Sequence, residues 1–227
     1  TLGIITEAEL RLVKSPKNII GILSFFESEE GSLSFSDRLR ELSHGELHEK
    51  DTTPVSIEFF DMRSIEMLRQ EYKHIPPNAS SAIFFELMID KDADYDMLGR
   101  YERMLKDFSS DMDKSWCGMD AKTKKRLSEF RHKLPVLVNE QVKRNGFPKA
   151  GTDIAVPKEY FRIMYSFYKD SLENCSISYV IFGHIGDCHL HLNLLPKNEE
   201  EFLRSKELYL RFIDKAVSLG GTISAEH

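Results

Sequence analysis

Residues 179–195 read Tyr-Val-Ile-Phe-Gly-His-Ile-Gly-Asp-Cys-His-Leu-His-Leu-Asn-Leu-Leu, and the fold follows from how this stretch divides. Tyr179 to Phe182 is an apolar run of strand length, Gly183 to Asp187 is a glycine-flanked turn, and His189 to Asn193 alternates strictly. Two strands joined by so short a turn pair antiparallel, because a parallel pair needs a long crossover. Period-two geometry sets His189, His191 and Asn193 on one face and Leu190, Leu192 and Leu194 on the other. The leucine face is core. Sheet packing gives no reason for two imidazoles and an amide opposite it.

Outward from this hairpin, strands and helices fill the chain. Strand-like runs cover residues 2–13, Asn18–Phe26, Val55–Phe60, Ala82–Ile89 and a short piece over Thr152–Val156. Helical patterns begin in Gly31–Glu49, with Ser34 or Ser36 as N-cap, and recur over Met62–Tyr72 and from Asp90 through Leu105. Further ones span Lys122–Asn145, where Pro135 is expected to kink or break the helix, Tyr160–Leu172 with one buried stripe, and Glu200–Leu219, closed by Gly220-Gly221. The order suits an α+β, ferredoxin-like architecture, a largely antiparallel sheet with helices packed mainly on one face. A doubly wound nucleotide fold is disfavoured, since no Gly-rich turn links a strand to a helix.

Composition narrows the class. The chain has 227 residues, 41% hydrophobic and 30% charged, so it can bury a core without disulfide or metal staples. A net charge of −6 argues against a dedicated nucleic-acid binder. No apolar run reaches the roughly eighteen residues of a transmembrane helix. Three cysteines with no C-x-x-C spacing fit a reducing, cytoplasmic setting, with a peripheral position at an inner membrane as the alternative. The opening at Thr1 and the stop after Ser224-Ala225-Glu226-His227 read as the ends of a piece of a longer protein.

Chemistry concentrates in three places. His184 joins His189 and His191 across the Gly186-Asp187 turn, and two imidazoles at a hairpin end make half of a divalent metal site that a carboxylate would complete. A structural histidine or a solvated sheet face explains the same pattern. Glu226-His227 offers a hard oxygen ligand and a titratable base, a weak signal alone. Arg131 and Lys149 could clamp a substrate carboxylate, although on composition alone an ordinary solvated charged face is the better explanation of them.

In order along the chain, these segments resemble FAD-linked oxidases of the vanillyl-alcohol oxidase type. Thr1 to Thr6 (TLGIIT) resembles the stretch that closes their flavin domain. Gly183-His184-Ile185-Gly186-Asp187 with His191-Leu192-Asn193 resembles their Gly-His-x-Gly-Asp-Gly-Asn-x-His-x-Asn motif. Gly221 to His227 resembles Gly-Thr-Ile-Ser-Ala-Glu-His, and Arg131 with Pro135 and Gly151 to Pro157 resemble the segments between. The branch that the segments most resemble is that of the D-lactate, glycolate and D-2-hydroxyglutarate dehydrogenases.

The resemblance implies the substrate-binding cap domain, residues 1–227, of an FAD-dependent 2-hydroxyacid dehydrogenase whose FAD-binding domain lies upstream. It implies a divalent metal, zinc or manganese, on His184, His191 and Glu226, and His227 as the base near the flavin. Arg131, Lys149 and Asn193 correspond to substrate-binding positions, and Leu2, Gly3 and Ile4 to cofactor-binding ones. It also implies a small 2-hydroxy acid as substrate, a quinone, cytochrome or flavoprotein as electron acceptor, and room for a homodimer. Two departures stand out: the motif's Gly-Asn is Cys188-His189 here. Losing the glycine restricts the turn if that position needs positive φ. His189, on the face of His191, becomes a substitute ligand or a crowding group, which leaves the metal's identity open.

Two other readings compete. One is a metal-dependent hydrolase with zinc on His184, His191 and Glu226 and with His227 or Asp187 as base. The other is a non-catalytic ferredoxin-like binding domain with structural histidines. The sequence does not select among lactate, glycolate and 2-hydroxyglutarate.

Overall fold

The computed structural model describes residues 4, 6–10, 12, 18–44, 54–89, 95–110 and 112–226. The β-branched and aromatic runs become strands β1 (Asn18–Phe26), β2 (Pro54–Phe60) and β3 (Ser81–Ile89), followed by the short β4 (Trp116–Gly118), β5 (Ala150–Gly151) and β6 (Ile154–Ala155). The histidine stretch supplies β7 (Ser178–Gly183) and β8 (His189–Leu195). Helices are α1 (Glu29–His44), α2 (Met62–Leu68), α3 (Tyr95–Asp107), α4 (Ala121–Asn145), α5 (Phe161–Leu172) and α6 (Glu199–Ser218).

One eight-stranded sheet runs in the order β4-β1-β3-β2-β7-β8-β5, with β6 also on β8, and every strand pairing is antiparallel. The α+β expectation therefore holds. Alternation along each strand builds two cores. Ile20, Ile22, Ile57, Phe59, Phe85, Ile181, Leu190, Leu192 and Leu194 pack against α1, α3, α5 and α6. Leu23, Phe25, Phe60, Phe84 and Val180 pack against α2 and α4. Of the six helices among the described residues, four share one face and the other two cover the opposite one. The candidate site grows at the open end of that second face.

Three local expectations are corrected. Helix α1 begins at Glu29, where the Ser28 hydroxyl accepts from Gly31 N at 3.0 Å, so Ser34 and Ser36 lie inside the helix and not at its cap. Helix α4 continues through Pro135, which sits on the exposed side of the helix. Buried Leu134, Leu137 and Val138 on either side of it hold the helix together despite the lost backbone hydrogen bond. Among the described residues of the 2–13 run, none lies in a strand. A capping box at Asp120 and Thr123 starts α4, and Gly146, at φ 73°, ends it in the left-handed region.

Candidate functional site

The β7–β8 hairpin brings the imidazoles together by register. Phe182 pairs with His191, and one further step places His184 opposite His189, whose N–H donates to the His184 carbonyl at 3.1 Å. Directly opposed residues of an antiparallel pair share a face, as do residues two apart on one strand. Phe182, His184, His189, His191 and Asn193 therefore all stand on one side of the sheet. Between them a short 3₁₀ turn, Ile185–Asp187, hands over to Cys188 at φ 53° and ψ 31°. The position where the motif carries glycine does require the left-handed region, and this chain fills it with a buried cysteine. Gly183, at φ 131°, is the other special position: a Cβ there would come within 2.8 Å of His191 Cδ2.

Strand β2 contributes a group that the sequence reading missed. Phe59 pairs with Gly183, so Glu58 falls opposite His184 one step further on. Its carboxylate is only 5% exposed, accepting from Arg131 at 2.6 Å and bonding His184 Nδ1 at 2.9 Å. The hydrogen bond to Glu58 raises the His184 pKa above the ordinary histidine value. His191 moves the other way: burial, with the neighbouring His189, pushes its pKa down.

The chain end completes the cluster. Thr222 and Ser224 bridge to β6 and its neighbour Asp153, and the Asp153 carboxylate accepts from Ser224 Oγ, Ala225 N and Glu226 N at 3.0–3.3 Å. The same carboxylate takes His189 Nε2 at 2.9 Å. Thus held, Glu226 Oε2 lies 3.3 Å from His184 Nε2 and 3.6 Å from His191 Nε2. Donor atoms of His184, His189, His191 and Glu226 all fall within 4.8 Å of one another.

The expected site residues thus divide. His184, His191 and Glu226 come together, and Arg131 is tied to them through Glu58. Asn193 is buried on β8, with Oδ1 2.9 Å from where a Cβ of Gly151 would stand, so glycine there leaves the amide its room; Lys149 Cε lies 3.9 Å from the same point. Ile4 is 91% exposed, while Leu2, Gly3 and His227 lie outside the described residues. Glu58 could have been suspected as a lone carboxylate in the apolar run Pro54–Phe60, and Asp153 as a charge inside a short strand segment. Neither carries a local signal of its partner.

Comparison with known proteins agrees with this fold. Residues 45–227 match the family described as FAD linked oxidases, C-terminal domain, and the chain belongs to it. Among curated relatives, it is 23% identical to the glycolate oxidase subunit GlcD of Bacillus subtilis (strain 168), over all of this chain and 46% of that protein. It is 24% identical to a probable mitochondrial D-lactate dehydrogenase of Danio rerio, over all of this chain and 44% of that one. For the D-2-hydroxyglutarate dehydrogenase of Stutzerimonas stutzeri (strain A1501), identity is 25% over the whole chain and 47% of the relative. The chain thus spans about half the length of these relatives. Among solved structures, p-cresol methylhydroxylase with substrate bound has a TM-score of 0.60 at 14% identity, covering 92% of this chain and 45% of that one. Alkyldihydroxyacetonephosphate synthase gives 0.57 at 13%, covering 92% and 40%. Both show the same fold. No helix among the described residues is long and apolar enough to cross a membrane.

Proposed function

We propose that this chain is the substrate-binding part of a flavin-dependent dehydrogenase that oxidises a D-2-hydroxy acid to the 2-oxo acid. The observation that carries the reading is the convergence of His184 Nε2 and His191 Nε2 on Glu226 Oε2, at 3.3 and 3.6 Å. A tetrahedral ion with ligand distances of about 2.0–2.1 Å has donor–donor edges of about 3.3–3.4 Å, so the two Glu226–imidazole edges match those of a zinc site. Glycolate, lactate and 2-hydroxyglutarate, named in the relatives, share the hydroxyl and carboxylate that such a site would grip.

When bound, a divalent ion would supply Lewis acidity to the substrate's oxygens. The flavin, held mainly by a domain outside this chain and bordered by residues 2–4, would supply the hydride acceptor, with a quinone, cytochrome or flavoprotein taking the electrons onward. The chain's own residues do the rest. Glu58 accepts the hydrogen bond of His184 Nδ1–H and so fixes Nε2 toward the site. Asp153 holds the backbone of Glu226. Asn193 and Lys149 present an amide and an ammonium for the substrate carboxylate. Arg131 offsets the charge of Glu58 and keeps further N–H groups for the same carboxylate. His227, next after Glu226, takes the hydroxyl proton on a neutral imidazole.

The test is anaerobic bleaching of the flavin in the natural full-length protein by D-lactate, glycolate and D-2-hydroxyglutarate, wild type beside His227→Ala. Bleaching by one acid, abolished by the substitution, is the expected result. Bound flavin that none of the three acids bleaches would sink the substrate assignment.

A further inference from the structure

Three donors account for His184, His191 and Glu226. His189 is the residue by which this chain departs from the motif it otherwise resembles, and it does not stand aside. It is 5% exposed, with its ring centroid 4.6 Å from that of His191 and 5.6 Å from that of His184. Nothing in the packing of a sheet face gathers three imidazoles this closely, because each buries polar nitrogens that need partners.

The partners follow one pattern. His184 Nδ1 is bonded to Glu58 at 2.9 Å, His191 Nδ1 to the Thr152 carbonyl at 3.4 Å, and His189 Nε2 to Asp153 Oδ1 at 2.9 Å. Each ring has one nitrogen on an oxygen outside the cluster. Histidines that ligate metals almost always donate their second N–H to a carboxylate or carbonyl, which fixes tautomer and orientation. By that criterion His189 is prepared for an ion just as the other two are.

We infer that His189 is a fourth protein ligand, coordinating through Nδ1 while Nε2 stays on Asp153, so that the centre holds three imidazoles and one carboxylate. This inference rests on the metal reading above and goes beyond it. Three nitrogen donors shift the preference toward zinc or cobalt and away from manganese or magnesium, which favour oxygen-rich sets. Asp153 then has a double duty, orienting one ligand through its ring and another, Glu226, through its backbone.

The experiment strips the natural full-length protein of metal and reloads it with one equivalent of Zn²⁺. X-ray absorption then counts imidazoles, and chelator competition measures affinity, in wild type, His189→Asn and His191→Ala. Three imidazoles in the wild type and two in His189→Asn are expected, with Zn²⁺ affinity lowered about tenfold or more in that variant. Two imidazoles in the wild type, with undiminished Zn²⁺ affinity in His189→Asn, would show that His189 only positions the Asp153 loop. That result would overturn the fourth ligand while leaving the metal centre in place. A wild-type protein that takes up no Zn²⁺ would overturn both. The wild-type count needs no variant, so a poorly folded substitution cannot blur the result.

Discussion

Glu58→Gln isolates the group that ties α4 to the imidazole cluster. Glutamine keeps the volume of the side chain and one carbonyl acceptor, but it removes the charge that both Arg131, at 2.6 Å, and His184 Nδ1, at 2.9 Å, address. Hydrogen bonds to a charged partner contribute about 1.5–3 kcal/mol each, roughly twice a neutral one. Halving two of them costs about 1.5–3 kcal/mol. Arg131, with its side chain 33% exposed, recovers part of this by turning to water, which leaves about 1–2 kcal/mol. His184 also loses the partner that fixes its ring, and outer partners of this kind carry about 10- to 100-fold in metal affinity. Urea unfolding of the metal-free protein and Zn²⁺ competition read the two effects separately. A variant with unchanged midpoint and unchanged affinity would refute the reasoning, because it would mean that Glu58 neither pays its way in stability nor orients His184.

Two further substitutions probe the surrounding frame. Asp61 is fully buried, caps α2 through Ser64 N at 2.8 Å, and leaves Oδ2 without a hydrogen-bond partner; burial pushes its pKa up to about 6 from 3.8. The folded state thus holds a proton that the unfolded state releases, so the Asp61 contribution to stability is full below about pH 4 and fades as pH rises through about 6, by up to about 3 kcal/mol. Asp61→Asn should flatten that slope in urea midpoints measured between pH 4.5 and 7.5, and parallel curves for wild type and variant would count against it. Gly183→Ala adds a Cβ 2.8 Å from His191 Cδ2 at a φ of 131°. Strain and displacement together should destabilise the protein by about 2–4 kcal/mol and weaken Zn²⁺ binding, whereas a thermal midpoint within a degree of wild type would contradict the close contact.

The hairpin was legible because its signals are local. Period-two alternation in His189–Leu194 already separates the imidazole face from the leucine face, and the turn between glycines forces the antiparallel pairing. The positive φ at Cys188 was legible too, since glycine in the related motif marks the position. What stayed hidden comes from elsewhere in the chain: Glu58 meets His184 across 126 residues of sequence, through a strand whose neighbours are chosen by the sheet order and not by any adjacent signal. Ser28 carries no stronger local signal for the start of α1 than Ser34 or Ser36, while Glu29 and Glu30 in the first turn suit the helix dipole at that start. Pro135 misled for the opposite reason. A local rule predicted a break, and packing on both sides overrode it.

The separations along the chain also divide the cluster into a local part and a long-range part. The nitrogen donors lie within eight residues, His184 to His191, on a hairpin that closes by local contacts. The oxygen side arrives from farther away, with Asp153 36 residues before His189 and Glu226 42 after His184. Short loops close sooner and at less entropic cost than long ones. The imidazoles therefore belong to a hairpin closed by local contacts, whereas the carboxylates that meet them depend on long-range pairing of the chain.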